Sequence, residues 1–173
     1  MLIDKYLDEW DFAKKNDIEV RIPTPPMIQF LYDIDYGKSR IIKVLFSLRG
    51  LPKRMVSLRG IFDTGFILLE EDRTEIVIGL VAQPWKFNGN IIKLSPEQFM
   101  VFWDQDFVKI AWNFKFVKNR ERFVNISTET RIYCTSRKAK RYFSFYWFFI
   151  GFFSGVIRKE MLKIIKEELL KSS

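Results

Sequence analysis

At 173 residues, 48% of them apolar and 17% aromatic, the chain suits one folded domain with a sizeable core and excludes low-complexity disorder. Histidine is absent, which removes the commonest general base, the usual nucleophilic triads and the commonest metal ligand. The single cysteine, Cys134, rules out an intramolecular disulfide and fits a cytoplasmic setting, and the formal charge is +8.

In chain order, residues 1–16 read as an irregular arm of mixed charge with no apolar signal core. Residues 17–22 then alternate, with Ile18, Val20 and Ile22 on one face of a half-buried strand. Thr24 and Pro25 open a short helix carrying Met27, Phe30, Leu31 and Ile34, which Gly37 stops. Ser39 caps a second short helix that carries Ile41, Ile42, Val44, Leu45 and Leu48 and ends at Gly50 and Pro52. A short helix or turn fits residues 53–62.

Strand signals follow. Residues 65–70 and 74–82 form a hairpin about Glu71, Asp72 and Arg73, and Gly79 inside the second strand implies a bulge or a close helix approach. Asn88-Gly89 is a hairpin turn leading into an apolar stretch at 91–94, and Ser95 caps a short helix at Pro96. Residues 107–117 are the clearest strand. Val108, Ile110, Trp112, Phe114 and Phe116 lie on one face and Lys109, Ala111, Asn113 and Lys115 on the other. Residues 123–135 pair with it across a turn at Arg120 and Glu121. Glu129 and Arg131 fall on the charged face, which the pattern makes the wet side, where a cross-strand ion pair is structural.

Ser136 caps a helix running to about Leu170. Residues 142–157 carry no charge and nine aromatics, with Gly151, Ser154 and Gly155 inviting a bend or a close contact. This run falls short of the ~20 apolar residues of a membrane span. It is expected to be the buried inner face of the helix, lying over a curved sheet with an apolar pocket between. From Arg137 onward there are nine Lys/Arg against three Asp/Glu, so the basic character belongs to this segment. It either forms a solvated face or attracts phosphate, an acidic partner or an anionic membrane surface. Helices segregated from an antiparallel run of strands give an α+β fold in a single unit, without repeats or linkers.

Several fragments carry a resemblance: residues 45–52 (LFSLRGLP), 75–81 (EIVIGLV) with Trp85, 127–132 (STETRI), and 143–147 (FSFYW) with 153–158 (FSGVIR). Together with the element order over residues 17–170, they resemble an uncharacterised bacterial branch of the START-like (SRPBCC, helix-grip) superfamily. That resemblance implies a curved antiparallel sheet wrapped around the long C-terminal helix, with two short helices after the first strand. The domain would cover 1–173, with 1–16 as the arm and 137–170 as the helix. It also implies a deep cavity between sheet and helix that holds an apolar or amphiphilic small molecule.

Trp85, Trp103, Trp112, Phe114, Tyr142 and Tyr146 are the candidate lining residues, since large rings supply apolar area and Tyr and Trp add a polar tip. Core packing is the plainer use of the same rings. Glu70, Arg49 or Arg59 could point one charge into the cavity. No catalytic residue, metal site, cofactor or nucleic-acid partner is expected. An aromatase/cyclase-type enzyme, using Glu70, Tyr142, Tyr146 or an Arg, is the alternative, as is a peripheral protein that uses its basic helix.

Overall fold

The computed structural model describes residues 1–22, 26–48, 56–120 and 122–171, without the side chains of Phe46 and Leu48. The expectations placed on Thr24, Pro25, Arg49, Gly50, Pro52 and Glu121 lie outside these residues. Among the described residues the elements are α1 (Leu2–Tyr6), β1 (Phe12–Arg21), two 3-10 helices (Ile28–Asp33 and Tyr36–Lys38), α2 (Arg40–Leu48), α3 (Leu58–Phe62), β2 (Ile67–Glu71), β3 (Glu75–Ala82), α4 (Pro96–Val101), β4 (Val108–Arg120), β5 (Phe123–Cys134) and α5 (Arg137–Lys171). This is an α+β fold. The five strands form one antiparallel sheet in the order β1-β5-β4-β3-β2, so the first strand closes one edge and the β2–β3 hairpin the other.

One face of the sheet meets α5. Ile76 and Ile78 of β3, Phe114 and Phe116 of β4 and Val124 and Ile126 of β5 pack against Ile157, Met161, Leu162, Ile164, Ile165 and Leu169. The 3-10 segment adds Ile28, Leu31 and Ile34 to this core, with Met27 left exposed. Ser39 caps α2 as its sequence implies, its Oγ accepting from Ile42 N at 3.3 Å.

The opposite face is covered too, which corrects the expectation of a wet side. The first residues are not an irregular arm. They form α1, and β1 begins at Phe12, five residues before the alternating stretch. Ile3, Tyr6 and Leu7 join Phe99 and Phe102, from and just beyond α4, over Val77, Val81 and Ala111. Every residue of β3 is consequently buried.

The polar residues on that face are satisfied in pairs, as burial demands. Arg131 Nε donates to Glu129 Oε1 at 2.7 Å and its NH1 to the Leu7 carbonyl at 2.9 Å. Asp4 closes on the same guanidinium at 2.8 Å, and Trp10 lies under it. Glu75 accepts from Leu2 N at 3.0 Å, Ile3 N at 3.4 Å and Asn113 Nδ2 at 2.7 Å, and so holds the start of α1 against β3.

Two further local expectations change. The register shifts at Leu69, which stands as an extra residue in β2, and its side chain fills the space beside Gly79. A Cβ there would come within 2.9 Å of Leu69 carbons. The bulge thus belongs to β2, and what approaches Gly79 is this strand residue rather than a helix. Asn88-Gly89 does turn the chain, with Gly89 at φ +69°, but the return is a loop touching the sheet through one bridge, Val81 to Ile92, rather than a strand.

Candidate functional site

Between α5 and the sheet lies a cavity of about 640 Å³. Its position follows from the side chains along β4. At one end Phe114 and Phe116 fill the distance from sheet to helix. At the other the corresponding row is Leu80, Ile110 and Ile132, with Ala82 one pair further on, and these side chains are too short to reach it. The helix wall comprises Phe143, Tyr146, Trp147, Ile150, Ser154 and Arg158. Residues 61–66 and the loop after β3 close the sides. Gly65 lies at φ +100° with Ile91 so close that a Cβ would sit 2.6 Å from its Cγ2, so only glycine lets these two walls meet. Exposed lining residues, among them Asp63, Lys86, Phe87 and Lys93, mark the mouth.

The structure brings two of the six expected lining residues to this cavity, Trp112 and Tyr146. The Trp112 indole N–H is already engaged, donating to Thr128 Oγ1 at 2.7 Å, so this ring offers area rather than a polar tip. Trp85 and Tyr142 stack on each other at 5.9 Å and line a shallow groove beside the mouth. Phe114 is not a lining residue; it is fully buried in the core below. Trp103 is on the wrong side of the sheet, edge-on to Tyr133 at 5.5 Å and beside Lys109. Its placement beyond α4 could not be phased from sequence, because it belongs to neither a strand nor a helix.

The charge inside the cavity also differs from expectation. Glu70 faces α1, where Lys5 Nζ and Tyr6 Oη both donate to it, at 2.7 and 2.9 Å. Those donors, Lys5 first, hold its carboxyl below the usual range. Arg59 is exposed and paired with Asp33. The cavity's buried cation is Arg158 of α5, 6% exposed, whose NH1 donates to Ser154 Oγ at 2.8 Å.

Arg158, Trp147 and Ile150 were legible by phase. The amphipathic second half of α5 buries Met161 and Ile165, and about five turns back along the same face stand Phe143 and Trp147.

The uncharged run is therefore not one buried face. Phe143, Trp147, Ile150 and Ile157 turn inward, whereas Phe145, Phe148, Phe149 and Phe152 are exposed. A helix has two sides, and nine aromatics in sixteen residues cannot share one. Gly151 and Gly155 serve close contacts: a Cβ at 151 would meet the Trp147 ring at 3.1 Å and one at 155 the Lys14 side chain at 3.1 Å.

No family model and no curated protein matches the chain. Among the described residues there is no group of His, Cys, Asp or Glu that would hold a metal ion, and no helix is long and apolar enough to cross a membrane.

Proposed function

We propose that the protein binds, and passes on, a hydrophobic or amphiphilic small molecule held between the sheet and α5 in the manner of a helix-grip fold. One observation carries this reading: the space beneath Tyr146 is open, although the chain has rings enough to fill it. Its volume falls in the range of small-molecule sites, and its walls are chiefly aliphatic and aromatic. Burial of the ligand's apolar surface supplies affinity. The guanidinium of Arg158, in the helix wall, adds positive charge that orients an anionic head such as a carboxylate or phosphate.

Native mass spectrometry of the purified protein, followed by solvent extraction, tests the reading. A co-purifying lipid-like or polycyclic compound is expected, and Ala82→Phe, which puts a ring into the open end, removes it. Arg158→Met keeps the capture of neutral apolar probes but weakens fatty-acid binding about tenfold. If the wild type neither carries such a compound nor binds a fluorescent fatty acid, the reading fails.

A further inference from the structure

Five phenylalanines within nine residues of α5 face away from the sheet. Phe145, Phe148 and Phe152 are 72%, 80% and 73% exposed, and Phe149 and Phe153 are exposed beside them. Their rings pack edge-on against one another, Phe145 and Phe148 on Phe149 at 5.3 and 5.2 Å and Phe152 on Phe153 at 5.7 Å. Contiguous exposed apolar surface of this kind marks an interaction site.

The same face is bounded by cations. Arg141 stands one turn before Phe145, and Lys159 and Lys163 continue the stripe beyond Phe152. All three are exposed, and no ion pair among the described residues engages them.

This charge pattern selects the occupant. If a second copy paired its ridge antiparallel about a two-fold axis, Arg141 would face Lys159 of that copy; a parallel pairing would set each cation against itself. An anionic lipid surface meets every one of these charges with its opposite, and the rings lie at the depth where interfacial helices bury their apolar face.

We propose that α5 docks in the headgroup layer of an anionic bilayer, with its phenylalanine ridge at the acyl boundary and Arg141, Lys159 and Lys163 on lipid headgroups. The ridge adjoins the groove of Trp85, Tyr142 and Phe149. Phe87, fully exposed, stands on the loop that lines the mouth. Docking therefore brings the mouth to the membrane, where an apolar ligand is exchanged without crossing water. That last step rests on the proposed ligand binding; the docking itself does not.

Sedimentation with phosphatidylcholine vesicles, with and without phosphatidylserine, tests the proposal. The protein is expected to pellet with the anionic vesicles and to be released by sodium chloride. Phe148→Ser with Phe152→Ser, and separately Arg141→Glu with Lys159→Glu and Lys163→Glu, should each weaken pelleting about tenfold or more. A dye on Phe152→Cys should shift to the blue on binding, which reads the ridge even if the serine variant folds poorly; Cys134 is buried and leaves the label selective. Ala82→Phe should pellet like the wild type while losing ligand, so the two readings fail separately. Wild-type protein that stays in the supernatant overturns docking. So does elution as a dimer that Phe148→Ser with Phe152→Ser converts to a monomer with unchanged pelleting.

Discussion

At position 109 a lysine amino group is withdrawn from water between the rings of Phe99 and Trp103, 5.1 and 5.2 Å away, with one hydrogen bond to the Met100 carbonyl at 3.1 Å. Burial pushes its pKa below the ordinary 10.5. Between its lowered folded value and 10.5 the unfolded chain then holds more protons at this site than the folded one, so stability rises with pH across that window. Lys109→Met keeps the length of the stem and drops the charge. It should raise stability by about 1 kcal/mol at neutral pH and flatten the alkaline rise, as measured by urea unfolding at several pH values. Arg131, on the same face, is the opposite case. Its loss strands the Glu129 carboxylate and the Leu7 carbonyl in the interior, so Arg131→Met should cost about 3 kcal/mol in the same assay. Alternation along β4 and β5 phased Lys109, Glu129 and Arg131 together correctly; it could not say that the phase was covered.

The cover itself is an element-scale matter. α1 has only five residues and could not form by propensity alone. It is held because Glu75 takes the N–H groups of Leu2 and Ile3, and because Ile3 drops to full burial beside Val77. Glu75→Ala leaves those donors and Asn113 without their acceptor. It should cost about 2 kcal/mol, and amide exchange should rise first in residues 2–7. The short range of the sequence signal explains what was readable. β4, β5 and α5 announce themselves by long periodic patterns, and Ser39, Ser95 and Ser136 cap the helices that follow them. α1 depends on Glu75, 73 residues beyond Leu2, and the pattern of residues 1–16 carries no trace of it. In α5 the length and the cap were legible. The division of its rings between cavity and solvent required the phase of Met161 and Ile165 to be carried back through a stretch where every position is apolar.

For the molecule as a whole, α5 is fastened at its two ends and spans the cavity between them. Its C-terminal half is in the main core, with Lys38 and Glu168 paired at 3.0 Å outside. Its N-terminal end is held by Phe143 in the cluster with Val108 and Ile132, by Lys140 on Asp11 at 2.6 Å, and by Lys138 and Ser136 on Asp106 at 2.6 and 2.8 Å. Burial opposes the charge on Asp11, but the hydrogen bonds from Lys140 and the Cys134 N–H outweigh it, and its carboxyl titrates below the ordinary 3.8. Lys138, with Ser136, lowers Asp106 likewise. A carboxyl whose folded pKa is depressed contributes stability that is complete above its unfolded value and is lost as the pH falls through the folded one. The N-terminal fastening of α5 should therefore loosen below about pH 4, while the C-terminal half, which loses the rim contacts of Glu160 with Ser39 and of Glu168 with Lys38 but keeps the apolar packing of Ile157, Met161, Leu162, Ile164, Ile165 and Leu169, stays in place. Hydrogen exchange at pH 3 and pH 7, each corrected for intrinsic rates, checks this. Protection should drop in residues 137–146 and persist in 157–169. Asp11→Asn, which keeps an acceptor for Cys134 N but ends the attraction to Lys140, should show the loosened pattern already at pH 7. Equal loss of protection along the whole helix would mean that α5 leaves the sheet as one body and that its ends are not fastened independently.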